Sequence, residues 1–353
     1  PPPPSPPPSA PPSPPPNDCL RYAQGAGSSF VQCTGVTSCW PPPCRRSRHM
    51  RLVDLRGQPL RSAVFDGVDM TGASLDGADL RGCTMYGTNL AGASLRGALL
   101  ASANLQGANL QGANFSGAEL TETDFTGAVL TDVDFSRALM RRAKIFSVQQ
   151  GARAIFDGAD LRDAQMTDNE MPDSSWVGTD LRAIAMEDMG LQRARIERAE
   201  LAGARFVDMR MQGALLLSTS LEGINLNGPA NLSYITVSNS SFRDAFLPGA
   251  LLVGAHAPGI DFSGAPPLLP APSPSHRHAR TRCALISRRP GAYLQLAEFR
   301  GAHLEGGSFR KAQITDANFD WAYLDSTDFT LAVGRAKASW FGIRGSPTGL
   351  LVA

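Results

Sequence analysis

The chain has 353 residues and a net charge of +1, with 42% apolar and only 7% aromatic residues. That length allows two ordinary domains, and the scarcity of aromatics beside abundant Ala, Gly and Leu suits many small equivalent packing sites better than one irregular core. There is no run of eighteen apolar residues, which excludes a helical membrane span, and the near-neutral total hides two basic segments, 45–62 and 266–290, each carrying +5, against −9 on the remaining body.

Residues 1–16 are proline broken by Ser5, Ser9, Ala10 and Ser13. Proline fixes φ and lacks an N–H, so this head is expected as a polyproline II stalk. Serines followed by several prolines resemble the hydroxyproline-rich proteins of plant and green-algal cell walls. Residues 17–50 hold Cys19, Cys33, Cys39 and Cys44. Their spacing lacks the paired C-x-x-C halves of a zinc site, and so short a segment with few apolar residues needs staples. Two disulfides among these four are expected, with three connectivities open.

From about Asp54 a period of five takes over. Leu75, Leu80, Met85, Leu90, Leu95, Leu100, Leu105, Leu110, Phe115 and Leu120 fall on every fifth residue. Two places before each sits a small residue, as at Ala73, Ala78, Cys83 and Ala113, with Asp, Asn or Ser between. Gly follows two places after, as at Gly77, Gly82 and Gly117. The phase slips by one residue between Ile145 and Phe156 and again at Asn227–Asn231, and each slip is expected as a corner bulge. Residues 266–290 break the cadence with six prolines and five arginines, and the repeat returns at Leu294. The expected organisation is a coil over 51–265, an inserted loop over 266–290, the coil continued over 291–330, and a cap or tail over 331–353.

A period of five forms no stripe on an α-helix, which turns about 100° per residue. It also fails in a straight strand, because an odd period flips the apolar side chain between faces. Three extended residues followed by a two-residue corner satisfy it. The small and large residues then face inward, the residue between faces water, and Gly takes positive φ at the corner. Four such repeats close a coil of about twenty residues, and coils stack about 4.8 Å apart. One coil cannot stand alone, so stability is collective. On this register Asn89 lies over Asn109, Asp124 lies by Lys144, Phe115 stacks near Phe135, and Leu161, Leu181, Leu201 and Leu221 share a ladder.

The A(D/N)LxG cadence resembles the pentapeptide-repeat family. The resemblance implies an all-β fold, a right-handed quadrilateral parallel β-helix. It leaves function open: some members of that family resemble a DNA rod and block type II topoisomerases, and others are lumenal, surface or scaffold proteins.

No catalytic, cofactor-binding or metal constellation emerges from the residues. The carboxylates recur because the outward slot prefers Asp or Asn. No Gly motif follows a strand and opens a helix. Cys83 occupies a core slot. His256 and His303 fall just before inward positions and are expected to face solvent, and His276-Arg277-His278 reads as part of a polar insert. Met166, Met171, Met186 and Met211 read as core, with Trp176 in a Leu slot. A non-enzymatic structural or protein-interaction solenoid is therefore expected, extracellular, wall-associated or in an organelle lumen, with an unknown protein or an acidic polymer as partner. The alternative is a DNA mimic that occupies a topoisomerase or other DNA-binding enzyme. A mimic needs a dense acidic face, and −9 with interspersed Arg193, Arg195, Arg198, Arg205 and Arg210 argues against it and against nucleic acid as a ligand.

Overall fold

A computed structural model describes residues 50–227, 230–243, 245–247, 250–258, 260–263, 292 and 294–350. The described chain is one parallel β-solenoid. Each coil pairs with the next at four places five residues apart, as at Asp54↔Ser74, Pro59↔Asp79, Val64↔Thr84 and Asp69↔Asn89. Four ladders at a register of twenty residues make four faces. Asn89 pairs with Asn109, and Asp124 pairs with Lys144.

Where pairing lengthens, named strands appear: β1 Lys144–Phe146, β2 Gln165–Glu170, β3 Ser175–Val177, β4 Ala185–Gly190, β5 Arg195–Glu197, β6 Arg205–Val207, β7 Leu215–Leu217, β8 Asn225–Asn227 and β9 Thr236–Ser238. Two parallel sheets run in the orders β1-β2-β4-β6-β8 and β3-β5-β7-β9, so every neighbour is one full coil away.

Residues 113–117 show how one repeat spends its backbone donors. The Ala113 N–H closes the preceding corner on the Leu110 carbonyl at 2.8 Å. The Asn114 N–H donates to the coil before (Ala93 carbonyl, 2.9 Å), and the Phe115 and Gly117 N–H groups donate to the coil after (Asp134 and Ser136 carbonyls, 2.7 and 2.8 Å). The Ser116 N–H has no carbonyl in reach and donates to Asn114 Oδ1 at 2.8 Å. A buried or half-buried amide without a partner is costly, so this fifth donor selects the outward residue. The same bond recurs from Thr71 to Asp69, Gln106 to Asn104, Thr126 to Asp124, Ser136 to Asp134 and Asp320 to Asn318. Asp and Asn therefore occupy that slot as turn acceptors as well as for their affinity for water.

Inside, small and large residues alternate in a continuous core from Met50 to Ala332. Aromatic residues stack coil on coil: Phe115 on Phe135, Phe135 on Phe156 and Phe156 on Trp176, with ring centroids 5.3, 5.2 and 4.1 Å apart. Trp176 is buried and donates its indole N–H to Ser174 Oγ at 2.8 Å. Met166, Met171, Met186 and Met211 are buried, as are Met189 and Met209 in the small slots.

The two phase slips differ. At the first, Val148 and Gly151 both face inward, and Gln149 and Gln150 stand exposed where a regular repeat has one residue. The extra residue thus sits on a face as a bulge, not at the corner expected for it. The preceding corner is opened as well. Instead of closing on Ile145, the Val148 N–H donates to Asn169 Oδ1 at 2.9 Å, and Asn169 Nδ2 donates to the Ile145 carbonyl at 2.7 Å. The register rises to twenty-one at Asp134↔Ile155 and returns to twenty at Ile155↔Ser175. The second slip falls between Leu226 and Ala230, and the register is again twenty-one at Arg210↔Asn231 and twenty at Asn231↔Leu251.

Further on, Leu251 pairs with Glu298, His256 with His303 and Asp261 with Ser308. These partners are 47 residues apart in sequence yet adjacent in the stack, so the coil resumes directly on itself. The Phe262 N–H bonds the Ser308 carbonyl, and Phe262 stacks on Phe309 at 4.9 Å. The loop expected over 266–290 lies outside the described residues, as do the stalk over 1–16 and the cysteines Cys19, Cys33, Cys39 and Cys44. Residues 333–348, expected as a cap, stack as a further coil through Asn318↔Ser339, Tyr323↔Arg344 and Asp328↔Thr348. This coil contains the short 3-10 turn Arg335–Lys337, and Trp340 covers Phe319 at 4.7 Å.

Deleting residues 266–290 is expected to leave the melting temperature within a few degrees of the parent, because closing a longer or shorter loop costs little; a large fall in a thermal melt would make the segment part of the fold. Asn169→Ala is expected to lose about 2–4 kcal/mol in chemical denaturation, since it strips partners from two buried backbone groups. Thr88→Ala is the control, with a loss of about 1 kcal/mol, because the Phe65 carbonyl it leaves still accepts the Val68 N–H.

Candidate interaction surface

The coil register converts positions twenty residues apart into columns, and the surface chemistry is that of the columns. At one corner, Asp132, Arg153, Asp173 and Arg193 follow one another in successive coils, all at positive φ. Arg153 grips Asp132 through two bonds of 2.6 and 2.7 Å, and Arg193 grips Asp173 through bonds of 2.7 and 2.6 Å. The guanidinium bonds hold both carboxyls below their usual range and raise both arginines. The same corner carries Tyr234 further along. Its ring lies over Gly254, where a Cβ would come within 2.7 Å of it, so that glycine supplies both positive φ and room.

On one face the outward aspartates are clasped from within their own repeat. Arg81, Arg162 and Arg182 each bind the Asp two residues before, at 2.6 to 2.7 Å. Arg61 and Arg141 reach Asp79 and Asp160 from the neighbouring coil at 2.6 Å. On another, Glu170 crosses Gly190, a site where any Cβ would collide with its carboxylate, to meet Arg210 two coils away at 2.7 Å; Asp188 also binds Arg210. Arg195 and Arg198 both bind Glu197. Of the arginines expected to dilute the acidic surface, Arg193, Arg195, Arg198 and Arg210 do so by direct pairing.

A third column collects aromatic and basic groups: His256, His303, Tyr323 and Arg344. The His256 and His303 rings are 5.7 Å apart and tilted by 58°, and His303 stacks on Tyr323 at 4.0 Å. The Arg344 guanidinium lies 5.0 Å over the Tyr323 ring and donates to its hydroxyl at 2.9 Å. Both histidines face outward, His256 exposed and His303 half-buried. In the sequence a separation of 47 positions hides that these two histidines are neighbours; the phase they share just before an inward residue is the signal that the sequence offers.

Cys83 fills a small inward slot, and its thiol donates to the Leu60 carbonyl at 2.9 Å. Burial pushes the thiol up to about 12, so it stays protonated as core filling. Thr88, Thr123, Thr179 and Thr327 occupy equivalent slots with the same bond to the coil before. His49, His276 and His278 lie outside the described residues. Among the described residues no group of three or more His, Cys, Asp or Glu is placed to hold a metal ion, and no helix is long and apolar enough to cross a membrane.

The lowered carboxyls make stability depend on acid. Arg56 hydrogen-bonds hold Asp54 down at about 2, and Asp132, Asp173 and Asp180 are lowered by bonds from Arg153, Arg193 and Arg182. A carboxyl lowered in the folded state contributes above its unfolded value of about 3.9 and loses that contribution as pH falls through the folded value. Thermal melts are therefore expected to be flat above about pH 5 and to fall between about pH 4 and pH 2; an unchanged melting temperature at pH 2 would contradict this.

Compared with known families, the chain matches the model for pentapeptide repeats in eight copies over residues 49–87, 84–117, 108–145 and 292–330. Residues 151–262 lie outside those matches, but the described residues among them keep the same coil pairing. Among solved structures, HetL, a pentapeptide repeat protein involved in heterocyst differentiation regulation from the cyanobacterium Nostoc sp., is 20% identical; 87% of this chain and 96% of HetL are covered, with a TM-score of 0.26. A pentapeptide repeat protein from the Arabidopsis thaliana thylakoid lumen is 24% identical, covering 39% of this chain and 71% of that one, with a TM-score of 0.21. Full-length QnrB1, a plasmid-mediated fluoroquinolone resistance protein, is 16% identical over 73% of this chain and 91% of its own, with a TM-score of 0.18. A search of curated proteins finds no match. The matched segments are pentapeptide repeats, and the pentapeptide-repeat family is the one that the family model supports for this chain.

Proposed function

We propose that the chain is a non-enzymatic structural or protein-interaction solenoid, a stiff body that presents fixed columns of side chains. The observation that carries this reading is the commitment of the outward polar groups to the coil itself. Asp and Asn accept the corner N–H, and many of the acids also hold an arginine. Groups so engaged are poor acids, bases or nucleophiles, and they are well suited to keeping a surface rigid. The same pairing disfavours DNA mimicry, which needs unneutralised acidic groups in a dense row.

The cysteines Cys19, Cys33, Cys39 and Cys44 are proposed to form two disulfides, and with the Ser/Pro head they support placement outside the reducing cytosol. Mass spectrometry of non-reduced peptides reads the pairing directly. The partner class proposed is a protein or an acidic polymer meeting the basic segments.

Two measurements test the main reading. About thirteen coils at about 4.8 Å make a rod about 65 Å long, and small-angle scattering is expected to report that length for residues 50–350. In a supercoiling assay with a type II topoisomerase, a tenfold excess of the chain is expected to leave the rate unchanged; inhibition near a stoichiometric ratio would favour the mimic.

A further inference from the structure

We propose that His256 and His303 form a surface site for one late first-row divalent transition-metal ion, with Cu2+ held most tightly. Their backbones are paired in adjacent coils, His256↔His303, so the two imidazoles rise side by side from one face. An imidazole bound through a ring nitrogen has a metal–nitrogen bond of about 2.0–2.1 Å, which puts the ring centroid about 3.2 Å from the ion. Two such rings at angles between 90° and tetrahedral have centroids about 4.5–5.2 Å apart. The observed separation of 5.7 Å exceeds that range by about 0.5 Å, a gap that a small side-chain adjustment of the exposed His256 closes.

The surroundings favour His303 as a ligand. Glu305 Oε1 lies 3.1 Å from His303 Nδ1, a pairing that assigns the proton to Nδ1 and leaves Nε2 as the free donor. A carboxylate behind a histidine is the usual support of a metal-bound imidazole, because it fixes the tautomer and raises basicity. Tyr323, stacked 4.0 Å away and itself held by Arg344, fixes the plane of the His303 ring, which lowers the cost of ordering it. Two nitrogen donors with open positions for water suit Cu2+, Ni2+ and Zn2+ and do not suit Mg2+ or Ca2+, which take oxygen ligands.

Titration of the full chain with CuCl2, ZnCl2 and MgCl2 in a non-coordinating buffer, read by calorimetry, tests the site. His256→Ala and His303→Gln are each expected to weaken Cu2+ at least tenfold, and Glu305→Gln about tenfold; MgCl2 gives no heat. The double substitution of His276 and His278 by Ala is expected to leave this affinity unchanged. Electron paramagnetic resonance of the parent with one equivalent of Cu2+ is expected to show two imidazole nitrogens, a readout that does not depend on any variant folding. Full affinity in either His256→Ala or His303→Gln, loss with the His276 and His278 substitutions, or a single-nitrogen spectrum would overturn the proposal.

Discussion

The structure depends on one constraint: in a regular repeat such as 113–117, four of the five backbone N–H groups are satisfied by backbone carbonyls, three of them in the coils before and after. An isolated coil would leave those donors and their acceptors unpaired, which no apolar core so narrow could offset. Stacking register is therefore not one property of the fold among others. It decides which side chains meet, where an extra residue can be absorbed, and where the ladder can be left and rejoined.

The irregularities show how that constraint is enforced. A single extra residue at Gln149–Gln150 would shift every later column if it propagated. It does not propagate, because the bulge is confined to one face and the Asn169 amide replaces the corner bond that the distortion breaks. After the second slip the register returns to twenty at Asn231↔Leu251. The interval of 47 residues at His256↔His303 obeys the same rule on a larger scale, since the stack accepts whatever rejoins it in phase.

Function on such a body is a matter of columns. The lattice holds its outward groups about 4.8 Å apart, close enough for alternating charges to pair, rings to stack and two imidazoles to share an ion. The Asp132–Arg153–Asp173–Arg193 column and the His256–His303–Tyr323–Arg344 column are products of the same geometry with different residues in the outward or corner slot. The first uses its charges internally and stiffens the corner. The second sets two imidazole rings side by side on exposed or half-buried side chains, and the metal site is proposed there.

How much of this was legible follows from which interactions are local. The five-residue cadence excludes helix and flat strand and demands a coil, and it places Leu75, Cys83 and Trp176 inward, because facing is set by backbone geometry within a few residues. The outward preference for Asp and Asn was legible as a pattern, but its cause, a corner N–H without a carbonyl, needed the coil to be closed. The face position of the first bulge, the rescue by Asn169, the charge ladder at one corner and the meeting of His256 with His303 were decided by the tertiary structure alone. Each joins residues roughly twenty or more apart, and a sequence records such spacing only up to the insertions that the stack silently absorbs.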